Sequence, residues 1–103
     1  MSELIIKTQK ENDVLKVFAE GRIDTTTSPQ FESEVKASLG GAANVVIDFE
    51  KVNYISSAGL RVLLGIHKNV SENGGELIIK KPQDTVLEVF EVTGFSDMLN
   101  IEK

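Results

Sequence analysis

A nearly continuous apolar run, Val45-Val46-Ile47-Asp48-Phe49, is followed within a few residues by Ser56-Ser57-Ala58-Gly59-Leu60, and then by apolar positions at helical spacing as far as about Val70. The run puts hydrophobic side chains on both faces of an extended segment. Asn44 to Phe49 therefore reads as a central strand covered on both sides. A buried strand feeding directly into a helix is half of a crossover unit, so the rest of the chain must supply neighbouring strands for a sheet.

Those neighbours can be read on either side. Leu4 to Thr8 and Val14 to Ala19 read as strands joined by the polar turn Lys10-Glu11-Asn12-Asp13, a hairpin, with Gly21 breaking the pattern. Ser28-Pro29 opens a helix, the serine as cap and the proline in the first turn. Phe31, Val35 and Leu39 then form one apolar stripe, ended by Gly40-Gly41. The helix after Ser57 carries Leu60, Leu63, Leu64 and Val70 along one face and stops at Asn73-Gly74-Gly75. Leu77-Ile78-Ile79 is a further strand. Pro82 and Asp84 introduce a third helix with Val86, Val89 and Phe90, Gly94 stands at its C-terminal cap, and Leu99 to Ile101 is an optional last strand.

The order β-β-α-β-α-β-α(-β) predicts an α/β fold with a mixed, mainly parallel sheet built through right-handed crossovers. With 103 residues, the chain is expected to form a single domain over 1–103 with one core. In such a sheet every loop that leaves a strand for a helix lies at one edge, where ligands and partners usually meet it. Two of these loops are Gly21-Arg22-Ile23-Asp24-Thr25-Thr26-Thr27 and Tyr54-Ile55-Ser56-Ser57. If their strands are neighbours, topology alone brings Asp24 and Ser57 close together.

Composition narrows the function. A hydrophobic content of 41% and a charged content of 26% suit a folded globular domain. The formal charge of -5 repels phosphate backbones and argues against nucleic acid as a partner. No cysteine is present, which excludes disulfides, thiol catalysis and cysteine-ligated metals. The start, Met1 to Lys7, lacks a basic leader, and no apolar run reaches membrane-spanning length. The expected location is the cytoplasm, without membrane insertion.

Ser57 stands at a strand-to-helix junction, where free N–H groups and the helix dipole favour an anion. It reads either as a phosphoacceptor or as a plain N-cap or first-turn residue. A catalytic role fails: the lone histidine, His67, lies ten residues along the same helix, roughly 15 Å away, so no base can activate the serine. His67 sits on or beside the apolar stripe, reads as structural, and has no second histidine for a metal site. Asp24 reads as a cap or as a charged contact beside the serine. Thr25, Thr26 and Thr27 read as turn and capping residues. Gly59 and Gly65 do not fit the spacing of a phosphate loop, and Gly65 is expected to let its helix pack closely on the sheet. The carboxylates are spread along the chain and form no acid/base pair, so no catalytic residue, metal ligand or cofactor is expected.

Several landmarks together carry a family resemblance. Gly21-Arg22-Ile23-Asp24, the strand Val45 to Phe49, Tyr54-Ile55-Ser56-Ser57-Ala58-Gly59-Leu60, Asn73-Gly74-Gly75-Glu76-Leu77 and Thr93-Gly94-Phe95 occur in order over nearly the whole chain. The chain resembles STAS domains, most closely the free-standing anti-sigma factor antagonists of bacterial partner-switching systems. The resemblance implies a STAS-like domain whose Ser57 accepts phosphate, with Ser56 as the alternative. Its partner surface would include Asp24, Thr25, Ser56, Ala58 and Arg61. It also implies an anti-sigma factor/serine-protein kinase of GHKL type, bound by the unphosphorylated form so that a sigma factor is released, and a serine phosphatase acting on the phosphoform. Two positions depart from the common pattern: Ser56 where aspartate is frequent, and Arg61 where glycine is frequent. The alternative reading keeps the fold without the switch, as a scaffold or accessory subunit of a lipid-transport ATPase complex or a stress-signalling assembly.

Overall fold

A computed structural model describes residues 4–40 and 42–103. Strands β1 (Leu4–Glu11) and β2 (Val14–Ile23) precede helix α1 (Ser28–Leu39). Strand β3 (Asn44–Ile55), helix α2 (Ser57–Glu72), strand β4 (Leu77–Lys80), helix α3 (Asp84–Thr93) and strand β5 (Asn100–Glu102) follow, with a 3-10 turn at Phe95–Asp97. The sheet order is β1-β2-β3-β4-β5. Only β1 runs antiparallel to its neighbour; β2, β3, β4 and β5 are parallel. This is the expected α/β order, and the optional last strand is present one residue later than read.

The hairpin turns at Asn12 and Asp13, between the paired residues Glu11 and Val14. Asn12 has φ 55, a left-handed conformation that asparagine tolerates better than most residues. Helix α1 ends at Gly40, with φ 45; Gly41, expected to share that role, lies outside the described residues, as do Met1, Ser2 and Glu3.

The expectation that β3 is covered on both faces is corrected. Val45, Ile47 and Phe49 are fully buried, whereas Val46 and Asp48 between them are only partly so. The inward residues of every strand but β5, which contributes the partly buried Ile101, join the buried residues of α1, α2 and α3 in one core. On the opposite face Ile5 and Phe18 are 46% and 43% exposed. The cause is topological. Strand order follows chain order without a reversal, so each parallel crossover steps in the same direction. Right-handed crossovers that all step one way put their helices on one face.

The strands that lead into the Asp24 loop and the Ser56-Ser57 junction are also longer than the pattern suggests. Strand β2 does not break at Gly21 but passes through it with φ 118, a conformation only glycine adopts readily. Strand β3 runs six residues beyond Phe49 because it carries two irregularities against β2, between Phe18 and Glu20 and between Gly21 and Arg22. At the first, the Asp48 carboxylate accepts the Glu50 N–H at 2.8 Å. An extra residue reverses the inward face of a strand. The buried positions of the second half of β3 are therefore Phe49, Val52 and Ile55, three residues apart rather than two.

On α2 the buried face is Gly59, Leu60, Val62, Leu63, Ile66 and Val70. Leu64, expected on that face, lies at its margin. Gly65 does not bring the helix closer to the sheet as expected: it is exposed, and a Cβ there would meet nothing within 4 Å. Close approach instead occurs at Gly59, where a Cβ would lie 2.7 Å from Ile23 Cγ2 and 2.8 Å from Ile55 Cγ1. Helix α3 closes the core, with Phe90 stacked on Phe49 at 6.2 Å between ring centroids. No described helix is long and apolar enough to cross a membrane.

Candidate functional site

Strands β2 and β3 are parallel neighbours, and their last residues, Ile23 and Ile55, pair directly. Beyond that pair the chain leaves both strands at the same edge, and the Ser56 N–H donates to the Ile23 carbonyl at 2.9 Å. The Asp24 loop and the Ser56-Ser57 junction are therefore stitched together by backbone, as topology requires. The irregularities in β3 make this alignment possible. The offset between paired residues grows from 30 at Val17 and Ile47 to 32 at Ile23 and Ile55. Without the irregularities that absorb these two extra residues of β3, the serine junction would overshoot the Asp24 loop.

Asp24 organises its own loop. Its Oδ1 accepts from the N–H groups of Thr26 (2.9 Å) and Thr27 (3.0 Å) and from the Thr26 hydroxyl (2.7 Å). The Asp24 carbonyl accepts the Ser28 N–H at 2.8 Å. The carboxylate thus caps the turn that leads into α1, and Ser28 is not the cap: its buried hydroxyl donates to the Asp24 carbonyl instead. Thr27 is buried and satisfied, its hydroxyl accepting from the Asp24 N–H and donating to the Arg22 carbonyl, both at 2.8 Å.

The hydroxyl of Thr26 foremost, then the N–H groups of Thr27 and Thr26, hold the Asp24 carboxyl at about 2, against an ordinary value of 3.8; partial burial opposes them. A carboxyl lowered on folding adds stability above its unfolded value and loses it as pH falls through the folded one. Asp24→Asn is therefore expected to melt below the unaltered protein at neutral pH, with the gap narrowing from about pH 4 down to about pH 2. Thermal melts across that range check this, and a gap unchanged at pH 2 would contradict it.

The two serines have different roles. Ser56 is the N-cap of α2, extended at φ -96 and ψ 174, and its hydroxyl accepts from the Gly59 N–H at 3.4 Å. Its carbonyl accepts the Leu60 N–H at 3.0 Å, closing the first helical turn. Ser57 is the first helical residue and is exposed. Its hydroxyl, and the N–H groups of Ser57 and Ala58, have no partner among the described residues. A free hydroxyl beside free N–H groups at a helix start is a place where added negative charge costs little.

Thr25 and Arg61 are exposed and Ala58 is partly so, all on this edge or the first turns of α2. Arg22 and Tyr54, quoted only as parts of motifs, join them. They pair across β2 and β3, and the Arg22 guanidinium lies 4.4 Å from the Tyr54 ring centroid and 3.6 Å from Asp24 Oδ2. Arginine over an exposed aromatic is a common element of recognition surfaces. Their matched positions, one residue before the last residue of each strand, are the signal that finds them once strand ends are known. His67 is partly buried in the middle of α2, and its Nδ1 has no hydrogen-bond partner. No group of metal-ligating side chains occurs among the described residues.

The fold has known counterparts. Residues 6–103 match the family model described as the STAS domain. BtrV of Bordetella bronchiseptica is 37% identical over 87 residues, covering 84% of this chain and 75% of BtrV. The anti-sigma-B factor antagonist of Listeria monocytogenes is 30% identical over 95 residues, covering 91% and 83%. Among solved structures, the anti-sigma factor antagonist SpoIIAA in its unphosphorylated form matches with a TM-score of 0.82 at 18% identity, covering 96% of this chain and 89% of that one. The phosphorylated form of SpoIIAA from Bacillus matches at 0.73 and 17% identity, covering 96% and 92%. With its family model matched over almost the whole length and relatives at this level of identity, the chain belongs to the STAS domain family.

Proposed function

We propose that this chain is an anti-sigma factor antagonist, a binding protein and not an enzyme, whose binding is switched by phosphorylation of Ser57. One observation carries the choice of residue. Ser57 is exposed with an unengaged hydroxyl at the first position of α2, while the hydroxyl of Ser56 is used as the helix cap. The names of relatives, and a structural neighbour solved in both phosphorylation states, support the role. The unphosphorylated form binds an anti-sigma factor that is also a GHKL-type serine kinase, and so releases a sigma factor. Phosphorylation ends that binding, and a serine phosphatase restores it. Asp24, Thr25, Ser56, Ala58 and Arg61 form the partner surface, extended by Arg22 and Tyr54.

The test is to incubate the protein with its kinase and ATP and to map the product by mass spectrometry. One phosphate on Ser57, abolished in Ser57→Ala, is the expected result. Phosphate on Ser56, Thr25 or Thr26 overturns the assignment.

A further inference from the structure

Arg61 is an exposed cation without a local counter-ion. It makes no ion pair among the described residues. Its helical neighbours three and four positions away are Ser57, Ala58, Leu64 and Gly65, none of them acidic. The first turn of α2 holds no acidic residue either. Only one of those four neighbours can acquire negative charge, and it is Ser57. The spacing is that of Glu32 and Lys36 in α1, which form an ion pair at 3.4 Å with the anion N-terminal to the cation. That polarity is the favourable one on a helix.

The geometry points to Arg61 as the built-in counter-ion of phosphorylated Ser57, pairing with the phosphate across one turn of α2 and withdrawing from the partner surface when the serine is modified. This rests on the Ser57 switch and deepens it. The switch then changes two things at once: it adds a phosphate where the partner meets a hydroxyl, and it removes a free guanidinium from the same stripe. The pairing also offsets part of the phosphate charge within the protein. Arginine suits this task because its planar donors engage phosphate oxygens in pairs.

The experiment uses protein with phosphoserine incorporated at position 57 during translation, so that it does not depend on any kinase. A phosphoserine titrates with its second pKa near 6, which 31P NMR follows directly. A guanidinium paired with the dianion lowers that value. Arg61→Ala is expected to raise it by roughly 0.3 pH units, the equivalent of an exposed i,i+4 ion pair. The difference should shrink in about 1 M salt, where the Debye length falls to about 3 Å. Arg22→Ala, whose side chain is already held over Tyr54 and near Asp24, is expected to leave the titration unchanged. No change in Arg61→Ala overturns the pairing, as does a change in Arg22→Ala alone. Affinity of the same phosphoprotein for the anti-sigma partner is a separate readout. If it equals that of the unmodified protein, the Ser57 switch fails while the titration still decides the Arg61 pair.

Discussion

Phosphorylated at Ser57, the protein is expected to bind its anti-sigma partner about a hundredfold more weakly, a loss of about 2.7 kcal/mol, with its fold unchanged. The two halves of this expectation have different origins. Within the protein, about -1.5 to -2 charges are added to a residue whose surroundings include unengaged N–H groups and the positive end of α2. The dipole favours an anion by roughly 0.3–1 kcal/mol. Repulsion from the Asp24 carboxylate opposes it, but that carboxylate already accepts hydrogen bonds from Thr26 and Thr27. Salt also screens charges at an exposed edge. These terms nearly cancel, so nothing drives refolding. In the complex, by contrast, the phosphate must be desolvated against a surface shaped for a hydroxyl. Amide NMR of the two forms should show changes confined to the Asp24 loop and the first turns of α2. Shifts that spread to Leu77–Ile79, or an unaltered affinity by calorimetry, would refute this mechanism.

Alanine at Gly59 is expected to destabilise the protein by about 2 kcal/mol, within the overpacking range of about 1–3 kcal/mol. Alanine at Gly65 in the same helix should stabilise it by roughly 0.5–1 kcal/mol. Both substitutions improve helix propensity, so the opposite signs isolate packing. At Gly59 the new methyl group would meet Ile23 and Ile55, buried β-branched side chains with little freedom to turn aside, and would lie 3.3 Å from the Ile23 carbonyl oxygen. That carbonyl accepts the Ser56 N–H, so the clash acts on the bond joining the two functional loops. Phosphorylation of Ser57 should therefore slow in Gly59→Ala and not in Gly65→Ala. Urea unfolding of both variants gives the two energies. Equal effects would show that α2 does not rest on the ends of β2 and β3 at Gly59.

Much of this edge was legible in the sequence because its signals are local. Hydroxyls and glycine after an apolar run mark a helix start, Gly94 marks a helix end, and alternation of strands with helices brings the loops after β2 and β3 to one side. The adjacency of the Asp24 loop and the serine junction followed from that alternation on the condition that β2 and β3 are neighbours, which the sheet order meets. Which serine caps α2 was not legible, since Ser56 and Ser57 offer the same hydroxyl and only the backbone at φ -96 and ψ 174 distinguishes the cap from the first helical residue. The role of Asp24 was legible only as a pair of alternatives, because capping depends on where its oxygens point.

The tertiary structure decided what depends on residues far apart in the chain. An apolar run looks the same whether both faces of its strand are covered or one. The outcome is set by the direction in which successive strands are added, and here that direction never reverses. The full length of β3 was hidden because two irregularities change its burial period at Phe49, Val52 and Ile55. The Arg22–Tyr54 pair was hidden for the same reason: it exists only in a register displaced by those two residues. Local chemistry in the sequence determined which segments form helices, turns and loops. Register and sheet direction, the sums of many weak long-range pairings, determined which side chains meet at the edge.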